Sequence, residues 1–161
     1  MTKAVYPGSF DPITKGHMDV ISRGSGVFDQ VIVAVARNPH KRALFTIDER
    51  MDMIRHETRN LKNVKVDTFE GMLIDYVKKQ GTNVILRGIR TVSDFEYEFQ
   101  MALTNRTLNR EIETVFVVSS EEYSFMNSTL IKEIAALGGD TRAFVSGEVG
   151  RKLKEKLAAQ Y

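Results

Sequence analysis

The 161-residue chain contains no cysteine and no tryptophan, and it has only three prolines. Without cysteine it cannot form disulfides, thiolate nucleophiles, iron–sulfur clusters or cysteine-ligated zinc sites. No apolar run approaches the roughly 18 uninterrupted residues of a membrane-spanning helix. The formal net charge of +2 is too small for a dedicated polyanion-binding protein. We therefore expect neither nucleic acid nor membrane as a partner. The charge does not exclude small anionic ligands.

The N-terminal segment MTKAVYPGSFDP does not fit a secretion signal, because Pro7, Asp11 and Pro12 interrupt the position of its apolar core. We therefore expect a cytoplasmic protein. No internal repeat, low-complexity tract or flexible linker divides the sequence. At this length, residues 1–161 are expected to form one domain.

Short β-branched runs alternate with longer segments of helical period along the chain. This pattern predicts an α/β fold with a five-stranded parallel sheet covered by helices on both faces. The predicted strands are residues 4–6, 31–36, 64–69, 84–86 and 114–118. The predicted helices are residues 16–28, 47–59, 72–79, 94–108, 128–137 and 147–158.

Two local patterns refine the helices. Thr46 followed three residues later by Glu49 forms a capping box, which predicts a helix start near residue 47. Phe95, Phe99 and Leu103 recur with a spacing of four on one face of the fourth helix. Such an apolar stripe is typical of a core-facing side, so we predict that these three residues are buried.

Ligands of parallel α/β sheets bind beyond the carboxyl ends of the strands, so the loops there are the candidate sites. The first loop, YPGSFDPITKGH at residues 6–17, offers the Ser9 hydroxyl, amides near Phe10 and an imidazole at His17. Such groups at a helix start bind phosphate. The loop lacks GxxxxGK[ST], and Gly24-Ser25-Gly26 lies at a helix end rather than after a strand. A P-loop NTPase and a dinucleotide Rossmann enzyme are therefore poor interpretations.

Residues 14–17, TKGH, resemble the [H/T]xGH signature of the nucleotidyltransferase superfamily. The whole segment at residues 6–17 resembles the bacterial phosphopantetheine adenylyltransferase family. Three more blocks resemble that family's motifs, in the same order and at matching spacing: FTIDER at 45–50, RGIRTVSDFEYE at 87–98 and EYSFMNSTLIKE at 122–133. The resemblance covers nearly the full length, which makes it far more specific than TKGH alone.

The resemblance implies a single Rossmann-like domain with the dinucleotide-binding fold of nucleotidyltransferases. It implies transfer of the adenylyl group of ATP to 4'-phosphopantetheine, giving dephospho-CoA and pyrophosphate in coenzyme A biosynthesis. It also implies a homohexamer and feedback binding of CoA. These properties are expectations from the family and not from the composition.

Matching positions carry the family's functional residues onto this chain. The implied catalytic residues are His17, Lys41 and Arg90. The implied ATP-binding residues are Ser9, Phe10, His17, Gly88, Ile89, Arg90, Glu98, Tyr123, Ser124, Phe125, Met126, Asn127, Ser128 and Thr129. The implied phosphopantetheine-binding residues are Ser9, Lys41, Leu73 and Arg87. Asn127 stands where the family usually has serine, and because its amide still donates and accepts hydrogen bonds, we expect activity to be retained.

The implied reaction explains which chemistry the sequence lacks. A phosphate nucleophile is already ionised at neutral pH, so in-line attack on the α-phosphorus needs positioning and charge neutralisation rather than a covalent intermediate. The sequence shows no all-carboxylate metal cage. This fits an implied Mg²⁺ cofactor held mainly by substrate phosphates and water, with no ligand from protein side chains.

Two alternatives stay open at this stage. The nearer one is a related nucleotidyltransferase that uses CTP or another phosphorylated acceptor, although such an enzyme is not expected to share RGIRTVSDFEYE. The other is a non-catalytic nucleotide-binding or assembly protein on the same fold, since a fold does not determine a function. The presence of His17 together with several basic residues argues against this second alternative.

Overall fold

Strands and helices alternate along the chain in a computed structural model that describes residues 1–38 and 42–159. The strands are β1 (Lys3–Gly8), β2 (Gln30–Ala36), β3 (Val64–Phe69), β4 (Val84–Ile89) and β5 (Glu113–Val118). The helices are α1 (Lys15–Val27), α2 (Ile47–Thr58), α3 (Leu73–Lys79), α4 (Val92–Leu108), α5 (Ser128–Ala136) and α6 (Gly147–Ala158). Each predicted element is present, and β4 continues three residues beyond its predicted end. The capping box at Thr46 and Glu49 is confirmed, since each side chain accepts from the other's backbone amide.

All the paired strands are parallel, in the order β3-β2-β1-β4-β5. The predicted α/β fold with its five-stranded parallel sheet is therefore confirmed. The order reverses at β1, because β2 and β3 extend the sheet to one side while β4 and β5 extend it to the other. In parallel α/β sheets such a reversal opens a crevice at the carboxyl ends of the two central strands. The loops after β1 and β4 meet at this crevice.

The sheet is buried on both faces. One apolar cluster contains Ala4 and Tyr6 of β1 with Val20 and Ile21 of α1. The other contains Val5 of β1 with residues of α3. Alternate residues of one strand thus enter opposite layers, as the period of two in a strand requires. Within the part of the chain described, no helix has the length and apolar character needed to cross a bilayer.

The prediction that the α4 aromatics lie in the core was wrong. Phe95, Phe99 and Leu103 are 43%, 47% and 48% exposed in the single chain. The residues that α4 buries are polar ones, Glu98 and Asn105, which lie on a different face of the helix. Regular spacing identifies residues on one side of a helix, but it does not reveal which side faces the sheet.

Candidate active site

Three cavities meet at the carboxyl ends of β1 and β4, and Ser9 borders all of them. The first has a volume of about 300 Å³, and His17, Arg90 and Asn127 lie in its wall. The second, of about 150 Å³, shares Ser9, Phe10, His17 and Ser128 with the first. The third, of about 200 Å³, shares Pro7, Gly8, Ser9, Arg87 and Glu98 with the first. The site therefore has two outer compartments joined through one central compartment.

The first loop turns sharply at Phe10, which has a φ angle of 47°. The ring of Phe10 is only 2% exposed and packs edge-on against Tyr6 and His17, with centroid distances of 5.4 and 5.0 Å. Because its side chain points into the protein, Phe10 can present only its backbone to a ligand. This limits the ATP contact that the resemblance implies for it.

His17 is held at the start of α1 by reciprocal hydrogen bonds with Thr14. The Thr14 amide donates to Nδ1 of His17 at 3.0 Å, and the His17 amide donates to the Thr14 hydroxyl at 3.2 Å. Because Nδ1 accepts, the hydrogen of the neutral imidazole lies on Nε2. Burial, together with the positive charges of Arg90 and Arg87, lowers the pKa of His17 to about 4. His17 is therefore a neutral N–H donor at physiological pH.

Arg90 connects the end of β4 to the loop before α5. Its Nε donates to the Asp94 carboxylate at 2.9 Å, and its Nη1 donates to the Met126 carbonyl. All three of these residues border the first cavity. The guanidinium is thereby fixed at the cavity wall, where it can neutralise the charge of a phosphate.

Arg87 and Glu98 form an ion pair between β4 and α4. Nε of Arg87 donates to one Glu98 oxygen at 2.7 Å, Nη2 donates to the other, and Nη1 donates to the Pro7 carbonyl at 2.7 Å. Burial alone would lower the pKa of Arg87, but the Glu98 carboxylate holds it above its ordinary value. Both residues border the first and third cavities. The carboxylate that the resemblance implies for ATP is therefore engaged by the arginine implied for phosphopantetheine.

The start of α5 presents polar groups to two cavities. The Asn127 side chain accepts from the Thr129 amide at 2.8 Å and so caps the helix. The Ser128 hydroxyl donates to the Pro12 carbonyl at 3.1 Å. Asn127 and Ser128 border the first cavity, and Thr129 borders the second. Amides in the first turn of a helix attract anions, so this end of α5 suits a phosphate chain.

The remaining residues that the resemblance implies differ in whether they border a cavity. Leu73 borders the third cavity and Gly88 the first. A Cβ atom at Gly88 would lie 2.6 Å from Cγ2 of Val20, so this glycine allows α1 to approach β4 closely. The walls of the three cavities do not include four residues implied for ATP: Ile89, Tyr123, Ser124 and Phe125. Lys41, implied for phosphate contact, lies outside the described residues.

Sequence reasoning missed a polar cluster that lines the second cavity. Asp11 accepts from the amides of Leu44 and Phe45, both at 2.9 Å, and from Nζ of Lys132 at 2.8 Å. Nearby, Arg50 donates to the Ser9 carbonyl at 2.8 Å. Asp11, Arg50 and Lys132 lie within sequence blocks that carry the resemblance, so their position in those blocks was the available signal. The cluster joins the first loop, the segment before α2 and α5.

Residues of α4 that sequence reasoning left unassigned form one wall of the third cavity. Tyr97, Met101 and Asn105 border it, as does Leu73 of α3. The cavity therefore combines apolar surface with an amide group. It suits an elongated ligand with both apolar and amide portions.

The carboxylates around the cavities bear on how a metal ion could be held there. Among residues 1–38 and 42–159, no group of three or more histidine, aspartate or glutamate side chains is arranged to bind a metal ion. The carboxylates at the cavities are engaged by cations: Asp11 by Lys132, Asp94 by Arg90 and Glu98 by Arg87. The first cavity is bordered by the donors His17, Arg87 and Arg90 as well as by these paired carboxylates of Asp94 and Glu98.

Comparison with known proteins finds a family model and relatives of similar length that match this chain. Residues 5–134 match the cytidylyltransferase-like family. The phosphopantetheine adenylyltransferase of Dictyoglomus turgidum is 54% identical over 156 residues, covering 97% of this chain and 98% of that protein. The phosphopantetheine adenylyltransferase of Heliobacterium modesticaldum is 52% identical over 156 residues, covering 97% of this chain and 93% of that protein.

Solved structures share the fold at much lower identity. A putative nicotinate-nucleotide adenylyltransferase from Vibrio parahaemolyticus superposes with a TM-score of 0.68 at 18% identity, covering 95% of this chain and 99% of that chain. A bifunctional NMN adenylyltransferase/ADP ribose pyrophosphatase from Francisella tularensis gives a TM-score of 0.76 at 16% identity. That match covers 99% of this chain and 51% of the other. At such identities the likeness concerns the fold alone.

Proposed function

The chain belongs to the phosphopantetheine adenylyltransferase family, and we propose that it transfers the adenylyl group of ATP to 4'-phosphopantetheine in coenzyme A biosynthesis. The observation that carries this proposal is the meeting of three cavities at Ser9, with His17 and Arg90 in the central one. Two phosphorylated substrates entering from different sides would bring their phosphates together there. Direct transfer between two bound substrates requires such an arrangement.

We assign the substrates by the chemistry of each compartment. The third cavity, with Leu73, Met101 and Asn105, suits the pantetheine arm, whose phosphate would then lie beside Arg87. The first and second cavities suit ATP, with the start of α5 facing its phosphates. Gly88 and the backbone of Phe10 line the ATP side. Lys41 is assigned to phosphate contact on the strength of the family alone.

In the proposed reaction, a phosphate oxygen of 4'-phosphopantetheine attacks the α-phosphorus of ATP. A new P–O bond forms, the bond from the α-phosphorus to the bridging oxygen breaks, and pyrophosphate leaves. His17 donates a hydrogen bond from Nε2–H to the α-phosphate, where negative charge grows in the transition state. Arg90 neutralises the charge of the same group. No side chain is required to remove a proton, because the nucleophile is already ionised.

Mg²⁺ is proposed as the cofactor. It would enter with the phosphates of ATP and neutralise their charge, while water and phosphate oxygens supply most of its ligands. The paired state of Asp11, Asp94 and Glu98 supports this assignment, because each carboxylate already has a cationic partner.

A homohexamer and feedback binding of CoA are proposed from the family, and a cytoplasmic location is proposed from the substrates. The exposed aromatic face of α4 supports assembly, because Phe95 and Phe99 stack on each other at 5.7 Å while remaining 43% and 47% exposed. Exposed apolar patches of this kind mark protein contacts. Replacement of Phe99 by Asp should lower the mass measured by sedimentation, whereas Arg55→Asp, on the exposed side of α2, should leave it unchanged.

The direct test measures pyrophosphate release from MgATP with and without 4'-phosphopantetheine. CTP in place of ATP and nicotinamide mononucleotide in place of phosphopantetheine serve as control substrates. Release that requires both ATP and phosphopantetheine is expected. Release with CTP or another acceptor instead would favour the related nucleotidyltransferase, and ATP binding without release would favour a binding protein.

A further inference from the structure

Tyr6 is a buried residue of β1 that borders the first cavity and has only 6% of its surface exposed. Buried tyrosines usually satisfy their hydroxyl with a protein partner. The Tyr6 hydroxyl has no hydrogen-bond partner among the residues that the structure describes. In the same set of residues, every fully enclosed side-chain nitrogen or oxygen has a partner. The Tyr6 hydroxyl therefore reaches the open space of the cavity.

The ring of Tyr6 is fixed by its packing. It contacts the Phe10 ring edge-on at a centroid distance of 5.4 Å, and Phe10 in turn packs against His17 at 5.0 Å. Tyr6 thus belongs to the same cluster of edge-on ring contacts that supports His17. A hydroxyl on such a ring is held in place before any ligand binds, which lowers the entropic cost of a contact.

The charges around Tyr6 define what its hydroxyl can bind. Arg87, Arg90 and Glu98 all act on it electrostatically. Burial raises the pKa of Tyr6 to about 12, an effect larger than the opposite influence of the two arginines. The phenol is consequently neutral at physiological pH and offers an O–H donor to the cavity that Arg87 and Arg90 also border. A phosphate oxygen is the ligand that matches three such donors.

We propose that the Tyr6 hydroxyl donates a hydrogen bond to a substrate phosphoryl oxygen held between Arg87 and Arg90. This contact rests on the proposed function, because the phosphate belongs either to the acceptor substrate or to the α-position of ATP. Tyr6 transfers no proton in this role. It binds and orients one of the two reacting groups.

The test compares Tyr6→Phe, which keeps the ring and removes only the hydroxyl, with Tyr76→Phe as the matched control. The Tyr76 hydroxyl donates to Asp67 at 2.7 Å, and Tyr76 belongs to the apolar cluster on the other face of the sheet. We expect Tyr6→Phe to lower kcat/KM by roughly 10- to 100-fold, the usual effect of losing a hydrogen bond to a charged group. Tyr76→Phe should retain the kinetics of the unmodified protein.

Separate KM values identify the phosphate. A rise in KM for 4'-phosphopantetheine alone assigns the contact to the acceptor phosphate, and a fall in kcat with unchanged KM values assigns it to the transition state at the α-phosphorus. The ratio of Tyr6→Phe to unmodified activity should stay constant from pH 6 to 9, because a neutral donor does not titrate there. Unchanged kinetics in Tyr6→Phe, or a loss explained entirely by the unfolded fraction in thermal melts, would overturn the proposal.

A binding experiment separates failure of this inference from failure of the proposed function. If the unmodified protein shows no phosphopantetheine-dependent pyrophosphate release, calorimetric titrations with ATP and with inorganic phosphate still report on the hydroxyl. Weaker binding of either probe by Tyr6→Phe than by Tyr76→Phe would support the contact between Tyr6 and a phosphate even though the proposed reaction had failed its own test. Equal binding by both variants would reject it.

Discussion

The backbone amide of Thr14 donates to Nδ1 of His17 at 3.0 Å, which leaves the hydrogen of the neutral imidazole on Nε2. This bond comes from the peptide backbone, so side-chain substitution at Thr14 does not remove it. Burial of the ring, and after it the charges of Arg90 and Arg87, oppose protonation of the imidazole. The fold thus sets both the tautomer and the charge of His17 before substrate arrives.

Replacement of His17 by Ala should reduce kcat by roughly 100-fold or more with little change in KM, the scale of losing one transition-state donor. His56→Ala is the matched control, because His56 is exposed on α2. Steady-state pyrophosphate release measures both variants. An unchanged kcat in His17→Ala would remove this residue from the mechanism.

The lowered pKa of His17 predicts how stability changes with pH. The unfolded chain takes up a proton at His17 near pH 6.5, whereas the folded protein does so only near pH 4. Acidification between these values therefore favours the unfolded state, and stability should fall by about 1–3 kcal/mol across that window. Urea unfolding at pH 7, 5.5 and 4.5 should show a smaller fall in unfolding free energy for His17→Ala than for the unmodified protein. Equal falls in the two proteins would contradict the lowered pKa of His17. In catalysis, His17 should introduce no inflection between pH 6 and 9.

The order and type of the elements could be predicted because buried parallel strands and amphipathic helices leave clear periodic patterns. The orientation of α4 could not, since the apolar residues at 95, 99 and 103 fit a buried face as well as a face open to solvent. The polar residues that α4 buries, Glu98 and Asn105, serve the cavities rather than the core. The buried face of α4 is therefore the polar one that borders the third cavity, which the spacing of its apolar residues does not indicate.

The part of the candidate site that could be predicted consists of residues whose type a motif specifies, such as His17 and Arg90. Pairings between distant segments could not be predicted, because Asp11 and Lys132 are separated by 121 positions and meet only through the fold. The pairing of Arg87 with Glu98 was not predicted either, although the two residues lie only 11 positions apart in one sequence block. A motif assigns these two residues to different substrates, whereas the structure joins them.

Glu98→Gln should impair use of phosphopantetheine more than use of ATP, because the carboxylate holds Arg87 at the third cavity. Loss of a partly buried charge partner should also lower stability by about 1–3 kcal/mol. Separate KM measurements for the two substrates test this. If KM rose only for ATP, Glu98 would contact ATP directly.

Asp94→Asn provides the comparison for Glu98→Gln, because it weakens the hold on Arg90 instead. That ion pair is more exposed, so its contribution to stability should be below about 1 kcal/mol. Its kinetic effect should fall on kcat rather than on KM for phosphopantetheine. Identical kinetic profiles in the two variants would contradict separate roles for the arginines.

Asp11→Ala should destabilise the protein by about 2–4 kcal/mol, because it leaves the amides of Leu44 and Phe45 and the Lys132 ammonium without their shared acceptor. Lys132→Met should cost less, since the two amides keep their bonds. Urea unfolding measures both, and equal losses would show that the ion pair alone matters.

The ionisation of Asp11 makes the contribution of this polar cluster to stability depend on pH. Burial alone would raise its pKa, but Lys132 and the two amides hold it below the ordinary value of 3.8. The stabilisation is therefore complete above that value and is lost as the pH falls through the lower folded-state pKa. The difference in unfolding free energy between the unmodified protein and Asp11→Ala should shrink only in that acidic range.

Two glycines of α1 offer a matched test of how closely this helix must approach the sheet. A Cβ atom at Gly24 would lie 2.5 Å from Cδ2 of the buried Leu86, whereas one at Gly26 would have no neighbour within 4 Å. Gly24→Ala should therefore cost about 1–3 kcal/mol through overpacking, while Gly26→Ala should be neutral or stabilise by up to about 0.5 kcal/mol. Because His17 lies in the first turn of α1, displacement of the helix in Gly24→Ala should also lower kcat under conditions where the variant is folded. A stable Gly24→Ala with full activity would show that Leu86 repacks without moving α1.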